Sequence, residues 1–394
     1  MILPRPAPVE KEILDYFADR NFERSRRFGA GMYDPANLKN FLAQLKNPQL
    51  SYQTFHTAGT VGKGSTSTYL SRALTGLGLR TGIYTSPHFV SLRERMCVNG
   101  EPISATDLKN LWHEIKTHPL MPTLSFFDAM TALAFLWFAR KRCHWAVIET
   151  GLGGRLDSTN NLHSRASVIT RIDFDHRAIL GNTLSEIARE KAGIIRPGQS
   201  VYTVEQPVEA AGIIKEVCAS QGARLNIIAP SGETFMTANL DFALHIAQAE
   251  LGIPVATFEG LAREIDRPIF GRWTTLRQSP RVIFDGAHNA AGFAALAELV
   301  NRQPESQCNF FVNTMKERNL QELIDSLRAK LVKNVRFYLY PMPPALYYSA
   351  AEAPQNVIPV EMAQVVSLTS VSDTLNIFTG SMALYAELPP SMIL

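Results

Sequence analysis

The chain has 394 residues, enough for two domains, with 46% hydrophobic and 19% charged residues, an ordinary balance for a soluble globular protein. Its formal net charge of +3 is small and mixed in sign along the chain, so it carries no electrostatic footprint for nucleic acid. The four scattered cysteines form no C-x-x-C pair, the start (Met1-Ile2-Leu3-Pro4-Arg5-Pro6) has no apolar signal core, and no apolar run approaches membrane-spanning length. Structural zinc and membrane insertion are therefore not expected, and a reducing, cytoplasmic location is the simpler reading.

The first element with chemical content is a strand-like run at Tyr52–Thr57. It leads into Ala58-Gly59-Thr60-Val61-Gly62-Lys63-Gly64-Ser65-Thr66 and a helix over Ser65–Gly78. The three glycines permit a tight turn that brings backbone N–H groups to an anion. Lys63 adds charge, and the helix dipole points at the same spot. The spacing departs from G-x-x-x-x-G-K-[ST], because Gly64 separates the lysine from Ser65. A triphosphate site and a plain strand-to-helix turn are both open on this stretch alone.

Next, a strand at Thr81–Tyr84 ends in Thr85-Ser86-Pro87-His88. Ser86 there could offer a hydroxyl to magnesium, or merely cap a turn closed by Pro87. A helix over Phe127–Lys141 precedes the strand Trp145–Glu149, which delivers Glu149 to a strand end, where a hard oxygen ligand belongs. The loop Thr150-Gly151-Leu152-Gly153-Gly154-Arg155-Leu156-Asp157 leaves room for a bound molecule; Arg155 and Asp157 either touch it or pair with each other. Strand Ser167–Thr170 leads to Asp173-Phe174-Asp175-His176. The helix Leu184–Gly193 then places Lys191 in an apolar context that disfavours an ammonium, unless it faces solvent. Strand Ser200–Val204 and helix Val208–Gln221 complete an alternation characteristic of a doubly wound α/β sheet.

A second series has strands at Val282–Phe284, Phe310–Asn313, Val335–Tyr340 and Leu375–Thr379, with helices at Ala290–Asn301, Leu320–Leu331 and Met382–Leu388. Met342–Asn356, with three prolines, reads as a surface loop. At the seam, Gly271-Arg272-Trp273 and Asp285-Gly286-Ala287-His288-Asn289 offer an arginine for phosphate and an aspartate for ribose hydroxyls; a helix-capping aspartate is the alternative. The expected organisation is a doubly wound, P-loop ATPase-like domain over 1–266, a linker over 267–280 and a smaller Rossmann-like α/β domain over 281–394.

Taken in order, these stretches resemble the folylpolyglutamate synthase and dihydrofolate synthase family, within the Mur ligase superfamily, from about Leu38 to Leu388. The family motifs G-T-N-G-K-G-S, T-S-P-H and E-x-G-L-G-G-R-L-D recur here with one substitution, Val61. Glu190-Lys191-Ala192-Gly193-Ile194-Ile195, Asp285-Gly286-Ala287-His288-Asn289 and Arg93-Glu94-Arg95 also match. The resemblance implies a cytoplasmic, monomeric ligase that uses ATP to join L-glutamate to dihydropteroate or a reduced folate through an acyl phosphate. It implies magnesium on Ser86, Glu149 and His176, an optional potassium ion and a carbamylated Lys191. Lys63, Lys191 and His176 would be catalytic. Nucleotide contacts would fall on Gly59, Thr60, Gly62, Lys63, Gly64, Ser65, Thr66, Asn239, Arg272 and Asp285, and pterin-side contacts on Phe126, Phe127, Leu156, Asp157 and Ser158. The second domain would close over the nucleotide and exclude water.

The chain departs from the family pattern at Val61, at Arg177 after His176, at Phe270 before Gly271, and at Met315-Lys316-Glu317-Arg318-Asn319, which loses an acidic ending. A Mur-type ligase for another acid is the rival enzyme reading. Such relatives carry an extra amino-terminal domain, for which the roughly 50 residues before the phosphate loop are too few. A degenerate nucleotide-binding homologue is the rival outside enzymes, and it would have no use for the whole set Ser86, Glu149, His176 and Lys191.

Overall fold

The computed structural model describes residues 3–18 and 35–392, so Met1 and Ile2 of the amino-terminal stretch lie outside the described residues. The chain divides into two compact units, with the boundary between Arg267 and Pro268.

The first unit is built on an eight-stranded sheet. Its strands are β1 (Gln53–Ala58), β2 (Thr81–Tyr84), β3 (Met96–Val98), β4 (Glu101–Pro102), β5 (Trp145–Glu149), β6 (Ala166–Ile169), β7 (Ser200–Val204) and β8 (Arg224–Ile228). They lie in the order β4-β3-β2-β5-β1-β6-β7-β8. The six from β2 to β8 run parallel, while β3 and β4 add an antiparallel edge, so the sheet is mixed. The central strands are buried along nearly their whole length, as parallel strands covered on both faces must be. Phe55 and Trp145 stack across the β1/β5 pair at 4.7 Å.

The helix Phe126–Arg140 is apolar on every side and almost wholly buried, the pattern of a core helix rather than a surface one. Ser125 and Asp128 close its first turn with a capping box. Around it gather Trp112 from the helix Ala105–Ile115 and Phe17 and Ile13 from the helix Pro8–Ala18. These two helices, β3, β4, β8 and the helix Phe235–Leu251 are elements that the strand-and-helix alternation did not single out.

The second unit carries β9 (Thr274–Gln278), β10 (Arg281–Phe284), β11 (Gln307–Val312), β12 (Asn334–Leu339), β13 (Val357–Pro359) and β14 (Thr374–Thr379). Their order is β13-β12-β11-β14-β10-β9, parallel except for β9 at the edge. β9 lies within the stretch read as linker. Phe311 stacks between Tyr338 and Phe378 on the neighbouring strands, at 5.2 and 4.7 Å. Met382–Glu387, expected as α-helix, is a 3₁₀ run; Pro389 and Pro390 follow at once and deny it the length an α-helix needs.

One buried carboxylate ties the amino-terminal helix to the loop beyond β2. Glu10, 3% exposed, accepts hydrogen bonds from Ala7 N, Ser91 Oγ, Leu92 N and Arg93 Nε at 2.9, 2.8, 2.6 and 3.3 Å. Truncating it leaves the Ser91 and Leu92 donors without their acceptor and takes the carboxylate from the largely covered Arg93 guanidinium, which keeps only backbone carbonyls. Glu10→Ala is expected to lower the unfolding free energy of the first unit by about 3 kcal/mol, measured by urea titration. Glu10→Gln keeps an acceptor and should lose clearly less.

Candidate active site

The carboxyl ends of β2, β5, β1 and β6 lie side by side, and each delivers one of the sequence motifs. After β2 comes Ser86, at the end of β5 Glu149, after β1 the glycine-rich loop, and after β6 Asp173 to His176. Strand order reverses here, because the chain passes from β1 over β5 to β2 and returns, which opens the crevice where doubly wound sheets hold ligands.

The loop after β1 is pinned from two sides. Thr60 N and Val61 N both donate to the carbonyl of Arg171, at 2.9 and 3.1 Å. Thr60 Oγ1 donates to Asp173 O at 2.9 Å and accepts from Asp173 N at 3.0 Å. These bonds lock the β1 and β6 loops together and carry Asp175 and His176 to the site. Gly62 starts the helix Lys63–Gly76 at φ 91, where a Cβ would stand 2.6 Å from Asn239 Oδ1; only glycine serves there. That same Oδ1 accepts from Thr66 Oγ1 at 3.3 Å, so Asn239 braces the first turn of the helix. Ser65 and Thr66 are buried in that turn.

Two lysines meet at one carbonyl. Lys63 Nζ donates to Gly59 O at 3.0 Å and Lys191 Nζ at 2.7 Å. Lys191 is 4% exposed, which excludes the solvent-facing alternative. Burial first, and then the charge of Lys63, lower its pKa to about 7, against the opposing pull of Asp175 and Asp157. Its amine is thus largely neutral in mildly alkaline solution, the state in which an amine is nucleophilic.

Glu149 is buried, and its Oε2 accepts from Ser86 N at 3.2 Å. A Cβ on Gly64 would sit 3.5 Å from that oxygen, so the missing side chain keeps the space beside the carboxylate clear. His176 follows with φ 48 and a half-exposed ring, Nε2 lying 3.8 Å from Asp175 Oδ1. Among the described residues no group of three or more His, Cys, Asp and Glu side chains is gathered for a metal. One carboxylate, one hydroxyl and one imidazole nevertheless suit magnesium, which keeps several waters and takes its remaining oxygens from phosphate.

The five pterin-side candidates separate by exposure. Phe126 is core, with the Arg95 guanidinium 5.4 Å from its ring centre. Phe127 lies over Gly151, where a Cβ would come within 2.4 Å of its ring, and faces Tyr84 at 5.9 Å. Leu156 is exposed. Asp157 accepts from Leu152 N and Thr159 N at 2.8 and 3.0 Å, and burial pushes its pKa up. Ser158 Oγ donates to Asp128 at 2.6 Å. Arg155 pairs with Glu190 at 2.8 Å and not with Asp157. The polar atoms of Asp157 and Ser158 are therefore engaged in holding the loop, while Leu156 and Phe127 keep surface.

In the second unit, Asp285 is buried and accepts from Trp273 N and Ala287 N at 2.8 and 2.9 Å; burial raises its pKa while Arg272 opposes. Asn289, not Asp285, caps the following helix. Arg272 Nη1 donates to Gly271 O at 2.9 Å. What the motifs did not flag is the Arg171 carbonyl and the Glu10 brace: the first is backbone, and the second is a lone glutamate far away in sequence.

No family model matches the chain. It is 33% identical over 334 residues to the dihydrofolate synthase/folylpolyglutamate synthase of Bacillus subtilis, covering 74% of this chain and 77% of that one. A solved structure of Mycobacterium tuberculosis folylpolyglutamate synthase, complexed with ADP and AMPPCP, superposes with a TM-score of 0.81 at 24% identity, over 95% of this chain and 97% of that one. A bifunctional folylpolyglutamate synthase/dihydrofolate synthase with Mn, AMPPNP and L-glutamate bound gives 0.81 at 22% identity, over 95% and 96%. At these identities the structural likeness is one of fold.

The depressed pKa of Lys191 has a measurable sign. The folded state favours the neutral amine, so the stability linked to this group is full above the ordinary value of 10.5 and is lost as pH falls toward about 7. In carbon-dioxide-free buffer, Lys191→Met is expected to melt above the unaltered protein near pH 7.5, with the gap closing as pH approaches 10.5. Parallel pH profiles for the two proteins would rule out a buried, titrating amine.

Proposed function

Since this chain belongs to the dihydrofolate synthase/folylpolyglutamate synthase family, a family of ATP-dependent glutamate ligases, we propose how its own residues carry out that ligation. The observation that carries the proposal is the convergence of Lys63, Lys191, Ser86 and Glu149 on the turn after β1. The turn Gly59–Thr66 cradles the triphosphate of ATP through the helix terminus and the backbone N–H groups that follow Val61, those of Thr60 and Val61 being taken by Arg171 O. Lys63 leaves the Gly59 carbonyl for the transferring phosphoryl group and draws charge from it as a substrate carboxylate attacks. ADP leaves as the acyl phosphate forms; the amino group of L-glutamate then attacks it, and the tetrahedral intermediate collapses to amide, phosphate and a proton. Dihydropteroate and a reduced folate are the two candidate acids, with Phe127 and Leu156 as the apolar surface beside them.

Lys191 is proposed to be carbamylated: its neutral amine adds carbon dioxide and releases a proton, which replaces a buried cation by an anion. Magnesium, held by Ser86, Glu149 and His176, would supply charge neutralisation to the phosphate oxygens. Arg272 and Asp285 are proposed nucleotide contacts of the second unit. No helix among the described residues is long and apolar enough to cross a membrane, and the four cysteines are free thiols; a monomer working in the cytoplasm is part of the proposal.

Glutamate-dependent ADP release, assayed with dihydropteroate and then with tetrahydrofolate, tests the reading; release with neither acid rejects it. Glu149→Gln and His176→Ala are expected to lower turnover about 100-fold or more while far-UV dichroism and melting stay normal. Near-normal turnover in both would remove the metal assignment.

Val61 supports a further expectation. Its backbone N–H is fixed on Arg171 O at 3.1 Å whatever its side chain, so phosphate binding does not depend on that side chain. Asparagine would add a donor near the terminal phosphate, worth about 1.5–3 kcal/mol to a charged group. Val61→Asn should therefore raise kcat by roughly ten- to hundredfold with little change in KM for ATP. An unchanged or lowered kcat would show the loop to be tuned around valine.

A further inference from the structure

At the amino ends of β2 and β5, the far end of those strands from Ser86 and Glu149, lies a cavity of about 490 Å³, within the range of small-molecule sites. Four cationic side chains line it: Arg80 just before β2, and Arg140, Lys141 and Arg142 at the end of the helix Phe126–Arg140. The lining carboxylates, Glu101 and Asp107, are half as many. A second hollow of about 150 Å³ shares Asp107, Trp137, Arg140 and Lys141.

The fold does not consume these charges. Arg142 stands at φ 51 and its guanidinium makes no hydrogen bond or ion pair among the described residues. Arg80 spends one of its five N–H donors, on Lys141 O at 2.9 Å. Lys141 stands 3.7 Å from Asp107, with both side chains about two-fifths exposed, and Arg140 pairs with Glu114 at similar exposure. Exposed pairs of this kind are weak and exchangeable. Trp137, 5% exposed, lies under Lys141, whose Nζ is 4.3 Å from the ring centre, and its buried Nε1–H has no acceptor among the described residues.

We propose that this cavity binds a small polyanion, its successive acidic groups distributed over Arg80, Arg140, Lys141 and Arg142. Cations spread along a cavity of this size favour several linked charges over a single one. Two sources share that chemistry. One is a γ-glutamyl chain with a free α-carboxylate on each residue, a product of the ligase, and this source rests on the function proposed above. The other is a phosphate chain, which does not. Either would occupy a site at the opposite end of the sheet from the reaction.

Calorimetric titration of the full chain, without ATP, magnesium or folate, keeps this test independent of ligase activity. The probes are tri-γ-glutamate and inorganic tripolyphosphate, the second run on Lys63→Ala to suppress binding at the phosphate loop. At least one probe is expected to bind with Kd below about 1 mM at low salt. The double substitution Lys141→Gln/Arg142→Gln, at two exposed positions, should weaken that binding at least tenfold without moving the melting temperature. The probe that binds identifies the source. Binding of neither, or equal binding by the double variant, overturns the proposal.

Discussion

Two ammonium groups cannot share one buried carbonyl at full charge without cost, and the first unit is arranged around that conflict. Lys63 and Lys191 both reach Gly59 O, and burial removes the water that would screen them. Lys63 lies at the start of its helix, where the dipole also disfavours a cation. Each feature argues for an anion. A triphosphate relieves Lys63 and the helix terminus, and loss of the proton relieves Lys191. The strand ends therefore form a site whose electrostatics are unfinished without a strongly negative ligand.

Holding that conflict in place takes structure elsewhere. The reciprocal bonds between Thr60 and Asp173, with the Arg171 carbonyl taking two N–H groups, make the β1 and β6 loops one body. Gly154 lets the β5 loop press on the helix that carries Lys191, where a Cβ would stand 2.8 Å from the Lys191 carbonyl, and Arg155 N donates to Glu190 O at 2.7 Å. On the other flank Glu94 gathers Phe89 N, Val90 N and Ser91 N at 2.7 to 2.9 Å. Arg95 Nε donates to His88 Nδ1 at 3.0 Å, and burial and the arginine together lower the pKa of His88 to about 3. A neutral imidazole is the acceptor that Arg95 requires, so the segment after Ser86 is fixed by Arg95 at His88 and by Glu10 and Glu94 at Ser91.

What was legible in the sequence is what short-range chemistry dictates. Glycines at a strand end, a lysine beside them, a glutamate closing an apolar run and a lysine among apolar helix residues each carry their reason within a few positions. The central parallel strands were equally plain, because strands buried on both faces read as continuous apolar runs; the edge strands β8 and β13, only partly buried, were not. The side chains of Asp157, Ser158 and Phe126 were not legible: an acid or hydroxyl in a glycine-rich loop looks the same whether it faces a substrate or Asp128, and only the packed loop decides. Glu10 was invisible for a related reason, since three of its four partners lie more than 80 residues away. The helix Phe235–Leu251 lacks a clear apolar stripe, and it is Asn239 against Gly62 that reveals its use.

Asp285 extends the same argument to the second unit. A carboxylate placed at a strand end reads as a ligand for something polar, yet both oxygens here are engaged by backbone N–H groups of Trp273 and Ala287. The first of those bonds holds Trp273 at φ 46, a conformation that costs a bulky residue about 1–3 kcal/mol and persists only where neighbours enforce it. Gly286 completes the enforcement, because a Cβ there would stand 2.9 Å from Arg272 Nη1. The carboxylate, the strained tryptophan and the glycine together fix where the Arg272 guanidinium stands. Asp285 thus shapes any contact made by this turn through the backbone it holds, in addition to whatever its own oxygens reach.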